Sequence, residues 1–209
     1  MGMRPDCYEC AAGQEPIWFP LAKLLSWPTR RRGISGTRNV FDLKTIQIAF
    51  DYSDDANGMV VAAAAGLSDE QLDRPIEMGR GNLRRTLVHL LAGEQVWLQR
   101  WRGPSDTPWP DENVKSTVAE IAERLRATSV TRAAFFDTIQ PGDLIDPKRY
   151  LDSIAGYFTA TLAQMILQGF IHSIHHRAQA VNMLRRLGAR PPEVDYMYSV
   201  RVTAEEGVA

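Results

Sequence analysis

An all-α fold, a four-helix bundle, is what this 209-residue sequence predicts, and three observations predict it. Four stretches of about 20 residues or more carry apolar side chains at spacings of three and four, the period of amphipathic helices. Helix-ending residues close each stretch: Gly66, Gly103-Pro104, Pro141-Gly142 and Gly188. All four histidines fall inside two of these stretches. The expected arrangement is up-down-up-down-like, with a short β-hairpin or extended loop before the last helix.

Residues 1–40 read as an N-terminal extension, expected to be poorly ordered, and residues 41–209 as the bundle domain. The extension holds Pro5, Pro16, Pro20 and Pro28 and no helical period of useful length. Its Cys7-x-x-Cys10 lacks the second ligand pair that a closed zinc site needs. The first helix begins near Phe41, with a stripe through Leu43, Ile46, Ala49, Phe50, Ser53, Asn57, Val60, Val61 and Ala64. Ser68 and Gln71 then have the spacing of a capping box at a short helical turn. The second helix spans about Asn82 to Arg102, with Leu83, Leu87, Leu90, Leu91, Glu94, Trp97, Leu98 and Trp101 on its inner side.

The third helix is expected from about Asp111 to Ile139, bent between Ala127 and Arg132, with a stripe through Val114, Val118, Ile121, Leu125, Phe135 and Ile139. Tyr150, Leu151, Tyr157 and Phe158 flank a turn-like stretch and mark the hairpin. The fourth helix runs from about Leu162 to Leu187, and Pro191-Pro192 prevents its continuation. The tail residues Tyr196, Met197, Tyr198 and Val200 are expected to pack back on the bundle.

Charge is nearly balanced, with 24 Lys and Arg against 25 Asp and Glu, so nothing points to nucleic acid. No apolar run approaches the roughly 18 residues of a membrane span. The first residues lack an apolar signal core, and cytoplasmic residence is expected. Two cysteines do not make a disulfide framework.

The chemistry concentrates in His172-Ser173-Ile174-His175-His176-Arg177. His172 and His176 are four apart, so one helical face presents both rings about a turn apart. His175 is three from His172 and competes for the same role. A further ligand must come from another helix, and His89 is the remaining histidine. Three neutral imidazoles suit zinc, nickel, iron or copper and leave coordination positions open. Glu94 fits a partner that orients a ligand histidine, a general base acting on water, or an ion pair on the helix surface.

The run His172-x-x-x-His176-Arg177-x-Gln179 resembles the fourth-helix signature of the DinB-like (DinB/YfiT) metal-binding bundle proteins. Leu87-x-His89-Leu90-Leu91-x-x-Glu94-x-x-Trp97 resembles their second helix, and the likeness extends over roughly residues 43–201. Many members carry Trp-Ala-Asn in the first helix, where this chain has Asp55-Ala56-Asn57, and the Asp55 carboxylate is expected to be solvated. The resemblance implies a divalent transition metal, zinc or nickel foremost, held by His89, His172 and His176, and it implies a homodimer. It also suggests a metal-dependent thiol S-transferase joining a low-molecular-weight thiol to a small-molecule substrate. A metal-dependent hydrolase and a non-catalytic, metal-binding stress protein use the same three histidines.

Overall fold

The structure, a computed structural model, describes residues 42–103, 108–152 and 156–201. The N-terminal extension, with Cys7 and Cys10, lies outside the described residues.

Four long helices dominate: α1 (Leu43–Ala64), α3 (Leu83–Arg102), α4 (Val118–Phe136) and α5 (Leu162–Arg186). Short helices α2 (Asp69–Asp73) and α6 (Tyr196–Val200) flank them, and strands β1 (Pro147–Asp152) and β2 (Gly156–Thr161) pair antiparallel before α5, with Tyr150 opposite Phe158. The four-helix bundle and hairpin expected from the sequence are therefore both present. No described helix is long and apolar enough to cross a membrane.

Side chains that satisfy the first free backbone N–H groups set the helix starts. The Asp42 carboxylate accepts from the Thr45 amide at 2.8 Å and opens α1. Asn82 caps α3 in the same way. Ser68 with Gln71, Thr117 with Glu120, and Thr161 with Gln164 form reciprocal capping boxes. The Thr117 box explains why α4 starts at Val118 and not near Asp111. Residues 108–116 form a connection instead, and Val114, expected in the core stripe, is exposed. The helix runs unbroken to Phe136, and Ile139 is buried from the turn that follows.

Two apolar clusters occupy the two ends of the bundle and show which way each helix points. One gathers Val60 and Val61 of α1, Leu83 and Leu87 of α3, Val118 and Ile121 of α4, and Val181 and Leu184 of α5. The other gathers Ile46 and Phe50, Leu98 and Trp101, Phe136, and Leu162 and Met165. So α1 and α5 run one way while α3 and α4 run the other: the order is up-down-down-up rather than alternating. The stretch between Arg102 and Val118 makes this possible. A segment of about 15 residues can span at most some 50 Å, more than the roughly 30 Å length of a 20-residue helix. Neighbours around the bundle are α1 with α4 and α5, and α3 with α4 and α5, which leaves α1 and α3 on a diagonal.

Between the apolar ends lies a polar layer. Arg132 of α4 donates to Glu94 Oε2 of α3 at 2.5 Å and also pairs with Asp54 of α1. Arg177 of α5 donates to Ser53 Oγ at 2.9 Å and to Asn57 Oδ1 at 3.0 Å, and Asn57 in turn donates to Ser173 Oγ at 3.1 Å. Burying such groups is costly unless they are hydrogen-bonded, which explains why they occur as interlocked pairs. The tail touches α1 through two contacts: the Tyr52 hydroxyl donates to the Val194 carbonyl at 2.6 Å, and the Tyr196 ring meets Tyr52 edge-on. The side chains of Tyr196, Met197, Tyr198 and Val200, expected to pack back on the bundle, are all exposed.

Candidate metal centre

Helices α3 and α5 bring three of the four histidines together. The ring centroids of His89 and His176 lie 4.3 Å apart, those of His172 and His176 4.4 Å, and those of His89 and His172 5.1 Å. One nitrogen from each ring lies within 4.8 Å of those of the other two. The Nε2 atoms of His89 and His172 are 3.3 Å apart. None of the three rings is exposed.

The close approach depends on Gly93, one turn beyond His89 on α3. A Cβ placed there would lie 2.1 Å from Cε1 of His172, so the imidazole fills the space where a side chain would stand. A second contact of this kind lies one turn back on α5, where a Cβ at Gly169 would lie 2.6 Å from the Trp101 ring. These two glycines let α3 and α5 approach closely at the height of the site.

The other nitrogens of two rings are held by acceptors. His89 Nδ1 is hydrogen-bonded to Glu112, which also accepts from Trp109 Nε1 on the same Oε1. Arg80 Nη2 lies 2.9 Å from the second oxygen of Glu112. His176 Nδ1 lies 2.9 Å from Gln179 Oε1, while Gln179 Nε2 lies 3.0 Å from Nε2 of His175. A proton on Nδ1 of His89 and of His176 satisfies these acceptors and leaves each Nε2 as a lone pair.

Electrostatics favours the neutral, ligating form. Burial, with the neighbouring rings of His176 and His89, pushes His172 down to about 3. Burial and His89 push His176 down to about 4, against a smaller opposing effect of Gln179. For Glu112, burial works to raise the carboxyl, but the hydrogen bonds from His89 and Trp109 outweigh it and hold the group at about 2. The carboxylate is therefore charged at neutral pH. The three imidazoles, with a carboxylate–histidine pair behind one of them, are a donor set that fits a divalent transition metal.

His175 is exposed, and its ring meets His176 edge-on at 4.8 Å without joining the cluster of three. Asp55 is exposed too. Glu94 is held in the polar layer by Arg132, with burial raising its carboxyl above the usual range against the pull of that arginine. The carboxylate that touches a site histidine is Glu112. Nothing periodic marks Glu112 in the sequence. Its only signal is an acidic residue beside a tryptophan in a proline-flanked connection, Pro108-Trp109-Pro110-Asp111-Glu112.

Fold and site together define a class: a four-helix bundle with three clustered imidazoles on two facing helices. The sequence model of the DinB family matches residues 43–207, and the chain belongs to that family. Its fold is similar to that of a DinB-like protein from Bacillus cereus ATCC 10987, with a TM-score of 0.60 at 18% identity over 73% of this chain and 97% of that one. It is also similar to YfiT from Bacillus subtilis, described as a probable metal-dependent hydrolase with an unusual four-helix bundle topology, with a TM-score of 0.55 at 18% identity over 73% of this chain and 93% of that one. Comparison with curated proteins finds no match.

Proposed function

We propose that the chain holds one divalent transition metal, zinc or nickel, on His89, His172 and His176, and that the site activates a nucleophile supplied from solution. The observation that carries this reading is the convergence of three imidazole nitrogens within 4.8 Å of one another. A bound divalent ion supplies Lewis acidity, which lowers the pKa of a thiol or a water molecule. The chain's own groups prepare the site. Glu112 and Gln179 keep the protons of His89 and His176 on Nδ1. Gly93 admits the His172 ring. Trp109, with its ring centroid 5.1 Å from that of His89, walls one side.

The nucleophile that this environment favours is a low-molecular-weight thiol, which makes the reaction an S-transfer to an electrophilic small molecule. The nearby buried carboxylates already have cationic or N–H partners: Glu112 bonds His89 and Trp109 through Oε1 and lies beside Arg80, and Glu94 accepts from Arg132 on Oε2. A thiol with a pKa of about 8.5 needs far less acidification than water at about 15.7, so it reacts without a protein base. Its sulfur bonds to the electrophilic carbon, the leaving group departs with the bonding electrons, and the thiol proton passes to solvent. Hydrolysis is the second reading, favoured by the description of the YfiT neighbour as a probable metal-dependent hydrolase. The working form in both readings is a cytoplasmic homodimer.

Metal analysis of the purified chain beside His89→Ala and His172→Ala tests the site. Each variant is expected to lose bound metal, and full metal content in both would remove the proposal. A panel of biological thiols with a chromogenic electrophile, run beside ester and amide substrates, separates the two reactions. Thiol-dependent turnover supports transfer, whereas ester or amide cleavage without any thiol dependence selects hydrolysis. Bound metal with no turnover would make the chain a non-catalytic metal-binding protein.

A further inference from the structure

We propose that Glu112 is a positioning residue for the histidine site, through which the connection between α3 and α4 fixes the orientation of His89. The inference rests on the reading of the three histidines as metal ligands.

Glu112 belongs to no helix or strand, yet its side chain is only 6% exposed. Three separate parts of the chain converge on its carboxylate. His89 comes from α3, Trp109 from the connection itself, and Arg80 from the loop before α3. A buried carboxylate without partners is costly, so this convergence is what keeps the group inside. The arginine alone would suffice for charge balance. The imidazole adds something different, because the bond uses the ring nitrogen that faces away from the other histidines.

The consequence is directional. With its proton held on Nδ1, His89 presents the Nε2 lone pair toward His172, whose Nε2 lies 3.3 Å away. Without that acceptor the ring is free to exchange tautomers and to turn about its broad terminal torsion. Trp109 restricts the same motion, since its ring lies against His89 while its N–H binds Glu112. Gln179 does the corresponding work for His176, but from the same helix. Among the described residues, Glu112 is the acceptor that brings a segment from outside α3 and α5 into the site.

Chelator-competition titrations of the full chain with zinc and with cobalt(II) test the role. Glu112→Ala is expected to bind about 10- to 100-fold more weakly than wild type, as found when the outer partner of a ligand histidine is lost. Glu112→Gln keeps an acceptor oxygen without the charge, and is expected to fall between the two with shifted cobalt absorption bands. Trp109→Phe removes one donor to Glu112 and is expected to lose affinity only a few-fold. Wild-type affinity in both Glu112 variants overturns the inference, as does weaker binding with an unchanged cobalt spectrum in Glu112→Gln. If Glu112→Ala does not fold, the affinity and spectrum of Glu112→Gln decide. A wild-type chain that binds neither metal overturns both this inference and the site on which it rests, whereas tight binding in wild type and both variants removes the positioning role alone.

Discussion

Gly93 and His172 share one space. The α3 backbone comes so near the imidazole on α5 that a methyl group at Gly93 would lie 2.1 Å from Cε1 and 2.3 Å from Nδ1. Gly93→Ala must therefore displace the ring or part the helices. Overpacking of this kind costs about 1–3 kcal/mol. We expect a stability loss in that range by urea unfolding, together with at least a tenfold loss of metal affinity by chelator competition. Gly58 provides the control, because a Cβ there meets nothing within 4 Å. In the interior of α1, Gly58→Ala is expected to stabilise the chain by about 0.5–1 kcal/mol and to leave metal affinity unchanged.

The Glu94–Arg132 pair makes a different prediction. Both side chains are nearly inaccessible, at 3% and 2% exposure, so removing one partner strands a buried charge. Arg132→Met is expected to cost about 3–5 kcal/mol in urea unfolding. The double variant Glu94→Leu with Arg132→Met removes both charges and should recover most of that loss, although Asp54 then lacks its arginine. Additive single and double losses would mean that the two residues act independently.

How far the sequence discloses this molecule follows from which interactions are local. The helices are legible because three-and-four spacing reflects a contact pattern repeated within each segment. The caps at Ser68, Asn82 and Thr161 stand within three residues of the groups they satisfy. That His89 meets the histidines of α5 is legible because histidines are few and each sits in an apolar helix, whereas spacing leaves His175 beside His176, and only the resemblance to the DinB-like proteins implies His176. The directions of α3 and α4 are not, since a long connection can return beside its helix or run the length of the bundle. Glu112 is hidden for the same reason: that connection carries it to His89 without any periodic signal. On α4 the apolar pattern misleads, because Thr128 and Arg132 occupy core positions, and Arg132 meets its carboxylate partners on other helices.

Acid should act on the metal-free fold through the same rings. His172 and His176 are held at about 3 and about 4, below the ordinary 6.5 of an unfolded histidine. Between those values the unfolded chain binds more protons than the folded one, so stability rises with pH and falls as pH drops from about 6.5 toward 3. Glu112, held at about 2 against an ordinary 4.5, adds a contribution that is present above 4.5 and is lost as pH falls toward 2. Urea midpoints of the metal-free chain measured from pH 7 to pH 4 should decline throughout. His172→Phe removes one titrating ring and should flatten the decline. A midpoint that stays level down to pH 4 would mean that these histidines are not held neutral by the fold. With metal present, protons and metal compete for the same nitrogens, so metal is expected to be released as pH falls below about 6.

His175 and His176 offer the sharpest comparison, because they are adjacent in sequence and differ in placement. The His176 ring lies 4.3 Å from that of His89 and 4.4 Å from that of His172, whereas His175 is exposed and reaches Gln179. His176→Ala is expected to abolish tight metal binding, since two remaining imidazoles do not complete the set. His175→Ala removes only an acceptor of the Gln179 amide. Gln179 would still hold His176 Nδ1, and the expected loss of affinity is at most a few-fold. Equilibrium dialysis of both variants beside wild type checks the assignment. Retained binding in His176→Ala with loss in His175→Ala would transfer the ligand role to His175. That outcome would require α5 to turn by about 100°, the angle between successive residues of a helix, and would carry Arg177 away from Ser53 and Asn57. The buried Arg177 network therefore fixes the rotation of α5, and with it which of the two neighbouring histidines faces α3.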